Sequence, residues 1–341
     1  MQELNITKNE AGQRLDKFLG KFLSEAPKSF LYKMLRKKNI TLNGRKAGGQ
    51  EKLNIGDVVK VFLSDETIDK FSGKKPAVSA VDYSKMPEIL YEDEDILLWN
   101  KPVGMLSQKA KDSDISAVEY LIRYLVSSGQ LKEEDLKTFR PSVCNRLDRN
   151  TSGILAAGKS LPGLQEMSRL FKERSLEKYY LCPVAGKVDV PASVYGYLWK
   201  DAQNNRVQIT QEELPGSVRI ETEYRPFAAG EKLTLLEVHL ITGKTHQIRA
   251  HLASIGHPII GDYKYGNPTV NESYKKQYGL THQLLHAYRL KMPETKGVLS
   301  YLSGKEFLAK PPKQFRQICE DAGVRIKIKG NKNGNMELKR T

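Results

Sequence analysis

The stretch Val143–Ser160 constrains this chain most, because it places a charged loop between two apolar segments. An apolar entry leads into Arg146–Arg149, a polar turn follows at Asn150–Gly153, and the apolar run Ile154–Ala157 comes next. A short apolar run bounded by turn residues is typical of a buried strand. The sequence therefore predicts a charged loop at the edge of a core sheet.

The carboxylate of this loop, Asp148, lies between two arginines, Arg146 and Arg149. Adjacent positive charge favours the ionised form of a carboxyl group. An ionised and positioned carboxylate can act as a nucleophile or as a general base. The alternative is a surface turn with a local Asp–Arg ion pair, and the residue types alone leave both interpretations open.

The whole chain is basic. Its 341 residues include 55 Lys and Arg against 40 Asp and Glu, which gives a formal net charge of +15. This balance indicates a polyanionic partner, of which nucleic acid is the commonest, although a basic surface can also serve solubility alone. The length allows one large domain and one small domain.

The three cysteines, Cys144, Cys182 and Cys319, are widely spaced and form no Cys-x-x-Cys pair. This pattern argues against a disulfide framework or a zinc ribbon and favours a reducing compartment. Residues 1–10 lack the apolar core of a signal peptide, and no apolar run is long enough to span a bilayer. We expect a cytoplasmic protein that does not bind membranes and is a monomer.

Residues 1–64 are predicted to form a small unit of their own. Apolar residues recur at helical spacing in two adjacent segments, which predicts a helical hairpin, and two short strands are predicted around Asn43-Gly44. Over residues 1–63 there are 13 Lys and Arg against 6 Asp and Glu. The cations can form a merely solvated face or a phosphate-binding one, and they include Lys28, Lys33, Arg36, Lys37, Lys38 and Arg45.

The remaining chain divides into three parts by composition. Residues 65–86 are polar and contain Gly and Pro, which predicts a flexible linker. Residues 87–320 alternate strand and helix patterns, which favours an α+β fold with a mixed, mostly antiparallel sheet. Residues 321–341 carry six Lys and Arg against two Asp and Glu and are predicted to be a loosely ordered basic tail, with Val324–Ile328 as a possible strand.

The segment Arg146–Gly153 resembles the signature loop of the pseudouridine synthases that modify ribosomal or transfer RNA, in which the Asp is the essential catalytic residue. Asn145 stands where that family has His. Further segments match the family in its own order, namely Lys101–Gly104, Glu177–Tyr180, Thr242–His251, Gly256–Asp262 and Leu284–Ala287. In the third of these segments, Thr242–His251, Lys244 stands where the family has its first arginine.

The resemblance implies an enzyme that isomerises uridine without any cofactor, in a central cleft, after extruding the base from its stack. Asp148 would start the reaction, either by attacking the sugar or base or by removing a sugar proton. Tyr180 would stack on the uracil, with Tyr179 on the opposite face of its strand. Arg249 would pair with Asp148. Contacts to RNA are implied for Arg146, Lys101, Leu285, Lys244 and His246.

Two segments of the N-terminal unit, Leu15–Leu19 and Leu35–Gly44, resemble the S4 RNA-binding module. The resemblance implies that the cations of this unit, Arg14 included, meet RNA phosphates with salt-dependent affinity. An S4 module before such a catalytic domain is typical of the subfamily that modifies large-subunit ribosomal RNA. We therefore expect large-subunit ribosomal RNA as the partner.

Three other motifs in the sequence compete with this interpretation. Residues 153–160 satisfy the P-loop pattern, but their centre predicts a strand and not a phosphate-binding loop, so no nucleotide cofactor is expected. His282 and His286 have helical spacing without the Glu of a zinc motif, so no metal is expected. Cys144 has no recognisable base partner and is predicted to pack as a small apolar residue.

Two alternative functions stay open at this point. The first is a non-catalytic RNA-binding or ribosome-assembly protein on the same fold, for which Asn145 is the supporting feature. The second is a glycoside hydrolase-like enzyme, which would need two carboxylates in one site, and Asp148 alone has a recognisable motif.

Overall fold

Residues 1–71 form a small α+β unit in the computed structural model, which describes residues 1–73, 78–201, 206–330 and 336–339. Its elements are β1 (Gln2–Asn5), α1 (Leu15–Phe22), α2 (Lys28–Arg36), β2 (Ile40–Leu42), β3 (Arg45–Lys46), β4 (Val58–Val61) and α3 (Asp65–Phe71). The strands form an antiparallel sheet of order β1-β4-β2-β3. The predicted helical hairpin, α1 and α2, shares an apolar core with this sheet.

The predicted linker, residues 65–86, begins with helix α3. The backbone N–H of Thr67 donates to Ser64 Oγ at 3.3 Å, which caps the helix. Ile68 is 1% exposed in the core of the N-terminal unit, and the Phe71 ring lies 4.5 Å from that of Phe30. Because Ile68 and Phe71 pack against the N-terminal unit, residues 65–71 form a folded helix in spite of their polar composition. The N-terminal unit therefore extends through Phe71, while residues 74–77 lie outside the described residues.

The N-terminal unit also contacts the larger domain directly. Thr138 Oγ1 donates to Glu10 Oε1 at 2.8 Å, and Glu10 is only 6% exposed. The backbone N–H of Leu161 donates to Asn9 Oδ1 at 3.0 Å. The turn Thr7–Glu10 is thus a second connection between the two parts of the chain, beside the covalent one.

The larger domain has the α+β architecture that the sequence predicts. Its strands are β5 (Glu88–Glu92), β6 (Ile96–Lys101), β7 (Ser142–Val143), β8 (Ser152–Gly158), β9 (Glu177–Ala185), β10 (Ala192–Asp201), β11 (Arg206–Thr210), β12 (Val218–Ala229), β13 (Leu233–Leu240), β14 (His286–Lys291), β15 (Glu306–Leu308), β16 (Lys327–Gly330) and β17 (Met336–Lys339). Its helices are α4 (Ala117–Ser127), α5 (Leu161–Lys172), α6 (Gln247–Ser254), α7 (Pro268–Tyr278) and α8 (Lys313–Asp321). No helix in the described ranges is long and apolar enough to cross a membrane.

One large sheet organises this domain. Its strand order is β11-β10-β12-β13-β9-β14-β8-β6-β5, with β15 beside β14 and β7 beside β8. Every pair is antiparallel except β14 and β8, which pair in parallel where His286 lies opposite Ser152. The predicted mixed, mostly antiparallel sheet is confirmed. The parallel pair brings the start of β14 beside the start of β8, at the end of the charged loop.

The central strands are buried on both faces, which explains their nearly continuous apolar sequences. On β9, Tyr180 packs into the same core as Leu121 of α4, whereas the next residue, Leu181, packs on the opposite face with Phe315 of α8. On β8, Leu155 and Ile154 divide between two cores in the same way. The alternation fixes which side chains can reach a site on either face.

The predicted basic tail, residues 321–341, is partly packed. Val324 and Ile326 are 1% and 8% exposed in the core that contains Phe315. Strands β16 and β17 pair with each other in antiparallel orientation. The start of the predicted tail is therefore packed, because Val324 and Ile326 are buried, and the strand predicted at Val324–Ile328 overlaps the first half of β16. Residues 331–335 and 340–341 lie outside the described residues.

Candidate active site

The Asp148 loop, residues 144–151, is fixed to β8 by the side chain of Asn145. Its Oδ1 accepts the backbone N–H of Ala156 at 2.8 Å, and its Nδ2 donates to the carbonyl of Ile154 at 3.4 Å. An amide side chain offers both a donor and an acceptor, and here both are used by the strand. Asn145 is therefore an anchor of the loop, and it gives no support to a non-catalytic protein.

A second contact holds the middle of the loop. Ser107 Oγ accepts from the backbone N–H of Leu147 at 3.0 Å and donates to the carbonyl of the same residue at 2.9 Å. Leu147 itself is buried in the main core. The residue before the candidate catalytic carboxylate is thereby held at its side chain and at both backbone polar groups.

Lys101, expected to bind RNA, lies beneath the Asp148 loop and is 0% exposed. Its Nζ donates to three carbonyls, those of Met105 at 2.9 Å, Pro102 at 3.0 Å and Arg149 at 3.1 Å. Burial lowers the pKa of Lys101 to about 7, although the charge of Asp148 acts in the opposite direction. The expectation is wrong, because a lysine enclosed by backbone carbonyls cannot reach RNA.

The end of the loop is held by the parallel strand pair. Gly153 has φ of +112°, and a Cβ at this position would overlap the carbonyl oxygen of Ala287. One residue earlier, Ser152 Oγ lies 2.9 Å from Nδ1 of His286, whose Nε2 lies 3.0 Å from the carbonyl of Ala309. A carbonyl only accepts, so Nε2 carries the proton and Nδ1 accepts from Ser152. Burial lowers the pKa of His286 to about 4, which keeps the ring neutral.

Asp148 and Arg249 meet as the resemblance implies, although they are 101 residues apart. Arg249 Nη1 donates to Asp148 Oδ2 at 3.1 Å, and His246 Nε2 lies 3.8 Å from the same oxygen. No described donor is bonded to Asp148 Oδ1. Burial lowers the pKa of His246 in spite of the nearby Asp148 charge, so this ring is neutral near pH 7. One carboxylate oxygen is held while the other stays available.

These groups open into a cleft of about 840 Å³. Tyr180 lines it from β9 and is 7% exposed, and burial followed by the charge of Asp148 raises the pKa of its phenol. Tyr179 lines a different depression on the other face of the sheet, as predicted. The cleft brings together seven of the eight site residues predicted in the larger domain, namely Asp148, Tyr180, Arg249, Arg146, Leu285, Lys244 and His246.

The rim of the cleft is basic. Arg146 and Lys244 are exposed there, beside the exposed Lys172 and the half-buried Lys178. Burial lowers the pKa of Lys178, and the charge of Arg174 adds to this effect. A polyanion whose backbone follows this rim would place one of its units near Asp148.

The competing motifs have structural explanations. The strand predicted at the centre of the P-loop pattern is part of β8, and Lys159 Nζ donates to Glu92 Oε1 at 2.6 Å. Among the described residues, no group of three or more potential metal ligands comes together. A second carboxylate does lie near Asp148, but this residue, Asp262, is 0% exposed behind Arg249. A glycosidase needs both carboxylates at the substrate.

Sequence reasoning missed three residues that organise this site: Ser107, Asp262 and Tyr265. Asp262 ends a segment that matched the family, but nothing in its spacing connected it to Arg249. Tyr265 OH lies 3.0 Å from Nδ1 of His246. A polar residue whose partner is distant in sequence has no local signal, so only the folded chain reveals such pairs.

Comparison with known proteins agrees with this geometry. Residues 95–254 match the family described as RNA pseudouridylate synthase. The ribosomal large subunit pseudouridine synthase C of Vibrio cholerae serotype O1 is 32% identical over 292 residues, which cover 84% of this chain and 87% of that protein. The protein of the same name from Escherichia coli strain K12 is 32% identical over 297 residues, covering 84% and 86%.

A solved structure, Human RNA Pseudouridylate Synthase Domain Containing 4, has the same fold with a TM-score of 0.54. The alignment covers 69% of this chain and 92% of the human chain, with 20% sequence identity. The chain belongs to the RNA pseudouridylate synthase family. The predicted enzyme class, an RNA pseudouridine synthase, is thereby confirmed.

Proposed function

We propose that this enzyme converts uridines of large-subunit ribosomal RNA to pseudouridines and that Asp148 is its catalytic residue. The observation that carries the proposal is the asymmetric environment of Asp148, with Oδ2 held by Arg249 and Oδ1 without a described donor in an open cleft. Relatives named for the ribosomal large subunit cover more than four-fifths of the chain.

The reaction breaks the glycosidic bond of a uridine, turns the uracil and joins it to the sugar again through carbon. Asp148, paired with Arg249, starts the reaction through Oδ1, either by attacking the sugar or the base or by removing a sugar proton. The glycosidic C–N bond and one C–H bond of the uracil break, while a C–C bond and an N–H bond of the same nucleotide form, so the overall change is an isomerisation without an external oxidant or reductant. A fixed cation beside the carboxylate needs no reorganisation during the step.

The target base has to leave its stack before Asp148 can reach it, which costs a few kcal/mol. Tyr180 offers an aromatic face to the extruded uracil, and Leu285 packs against its edge. Both side chains are buried, so their positions are set by the sheet. Arg146, Lys244 and His246 contact the RNA around the extruded nucleotide.

The N-terminal unit, residues 1–71, is proposed as an S4-like RNA-binding module that precedes the catalytic domain at residues 87–320. Its candidate phosphate ligands are exposed, and no described carboxylate pairs with them: Lys28, Lys33, Arg36, Lys37, Lys38 and Arg45. Arg14 differs from these, because Asp16 binds its guanidinium at 2.8 and 3.0 Å. We place this module on the ribosomal RNA flanking the target uridine.

The proposal also includes the cellular location and the oligomeric state of the enzyme. A cytoplasmic location is part of the proposal, and the ribosomal RNA substrate and the three free cysteines support it. A monomeric state is part of the same proposal.

The test is to incubate the purified protein with an unmodified large-subunit ribosomal RNA transcript and to map pseudouridine by chemical labelling and primer extension. Asp148→Ala and Asp148→Asn serve as paired variants, and filter binding measures the RNA affinity of each. We expect new stops with the wild type only, together with RNA affinities that agree within about threefold. Normal turnover by either variant would refute the role of Asp148.

A transfer RNA transcript is the substrate control. Modification of transfer RNA without modification of ribosomal RNA would keep the enzyme class and overturn the proposed substrate. Binding of both RNAs with no modification of either would instead favour a non-catalytic RNA-binding protein.

A further inference from the structure

Asp262 is the most enclosed carboxylate near the cleft. It is 0% exposed, and it lies in the segment between α6 and α7, outside the Asp148 loop. Burial alone would raise the pKa of Asp262, but the hydrogen bonds and charge of Arg249 outweigh it and lower the pKa below its usual value. A buried carboxylate that stays ionised must be fully satisfied by donors.

The contacts of Asp262 meet that condition. Arg249 donates to it twice, from Nε to Oδ2 at 2.7 Å and from Nη2 to Oδ1 at 2.9 Å. The backbone N–H groups of Lys264 and Tyr265 donate to Oδ1 at 2.9 and 3.0 Å. The paired geometry fixes the plane of the guanidinium and leaves Nη1 as the group that bonds Asp148.

Asp262 is also connected to the surroundings of Asp148 by a second chain of contacts, through Tyr265 and His246. Its bonds to the turn at 264–265 place Tyr265, whose hydroxyl accepts the backbone N–H of Val207 at 3.0 Å. That hydroxyl is left to donate to Nδ1 of His246, which puts the histidine proton on Nε2. Nε2 lies 3.8 Å from Asp148 Oδ2. At this distance the neutral ring lies beside Oδ2 without a hydrogen bond to it, so the bond from Arg249 is what holds that oxygen.

We propose that Asp262 is a positioning residue that, through Arg249, holds Asp148 by Oδ2 and leaves Oδ1 to the substrate, while its contacts with the turn at Tyr265 fix the His246 ring beside the same oxygen. The inference rests on the proposed function of Asp148. Asp262 does not touch the RNA, because Arg249 lies between it and the cleft. Its removal should therefore change the rate of the reaction and not the affinity for RNA.

The kinetic test compares wild type with Asp262→Asn and Asp262→Glu in single turnover on the ribosomal RNA transcript. Asn removes the charge, whereas Glu keeps the ion pair and displaces the guanidinium by one methylene. We expect a rate at least tenfold lower in both variants, with RNA affinity within about twofold of wild type. Because Asn can impair folding, Glu carries the test if thermal unfolding shows Asp262→Asn to be unfolded.

The matched control is Glu237→Gln, on the opposite face of the sheet. Glu237 is 3% exposed and pairs with Arg225 and Arg289, so its loss also removes a buried partner of arginine. We expect this variant to lose stability and to keep the wild-type rate. A wild-type rate in Asp262→Glu, or an equal loss in Glu237→Gln, would overturn the positioning role.

A second readout does not depend on activity. The Nε–H of Arg249 should give a protected nitrogen-15 NMR resonance in the RNA-free wild type and in Glu237→Gln, identified by its loss in Arg249→Lys. We expect fast exchange with solvent in Asp262→Asn, and continued protection there would refute the inference. Absence of pseudouridine with every transcript would refute the proposed function instead, while this resonance still decides the role of Asp262.

Discussion

The buried ring of His286 makes the stability of this enzyme depend on pH in a way that can be calculated. The ring is 0% exposed, accepts from Ser152 at Nδ1 and donates to the carbonyl of Ala309 from Nε2. Protonation would add an N–H at Nδ1, where the Ser152 hydroxyl already donates to the ring, and would place a charge in an apolar environment. The fold therefore favours the neutral form, and burial lowers the pKa of His286 from 6.5 to about 4.

A histidine with a lowered pKa in the fold contributes full stability above its unfolded pKa and loses it as the pH falls. The loss for His286 begins near pH 6.5 and is complete near pH 4. At 1.36 kcal/mol per pKa unit, the free energy of unfolding should fall by about 2 kcal/mol between pH 7 and pH 5 from this residue alone.

The assay is urea unfolding of wild type and His286→Gln at pH 8, 7, 6 and 5. Gln keeps one donor and one acceptor but does not titrate. The free energy of unfolding of His286→Gln should therefore decline by about 2 kcal/mol less than that of wild type between pH 7 and pH 5. Between pH 8 and pH 7 the two proteins should change in parallel, because the ring is neutral in both states there. Equal declines from pH 7 to pH 5 would refute the reasoning.

Two further predictions concern the site loop and the N-terminal unit. Gly153→Ala should lower the free energy of unfolding by at least about 2 kcal/mol and abolish activity, because its φ of +112° and the nearby Ala287 carbonyl exclude a Cβ. Gly20→Ala, with open space around it in α1, should be neutral or stabilising by up to about 1 kcal/mol, and equal thermal stability of the two variants would contradict this. Replacing three cations of the proposed S4-like module by Gln should reduce the slope of log Kd against log salt by about 2, measured by filter binding. The control variant replaces three exposed lysines of the larger domain by Gln. If it reduces the salt slope by the same amount, the proposal is refuted. The test triple is Lys33, Arg36 and Lys37, and the control triple is Lys187, Lys275 and Lys296.

Much of the larger sheet is predictable because its strands carry strong apolar patterns. The apolar patterns at residues 96–100, 233–240 and 284–290 predict strands, and β6, β13 and β14 correspond closely to them. Helix α7 was not predicted, since Asn271 is its only fully buried residue and its apolar face is narrow, limited to the partly buried Val270, Tyr274 and Tyr278. Its caps, Asn267 before it and Gly279 after it, were the available signals.

Only those site residues that lie in recognisable sequence motifs were predictable. Asp148 and Arg249 were located by resemblance, and their contact across 101 residues is a property of the fold. Lys101 was misjudged because lysine is normally a surface residue, and the carbonyls that enclose it come partly from a segment 48 residues away. Such a site is created by distant backbone groups, which leave no trace in local sequence.

The parallel pairing of β8 with β14 also determines when during synthesis the site can exist. Strand β8 lies between β6, which precedes it, and β14, which begins more than 130 residues later. Until His286 and Ala287 have left the ribosome, the end of the Asp148 loop has no partner for Ser152 and no strand against Gly153. Contacts so distant in sequence form slowly, and domains fold as units once their last strand is available. A nascent chain that ends before β14 therefore carries Asp148 and Arg249 but not the enclosed site they require.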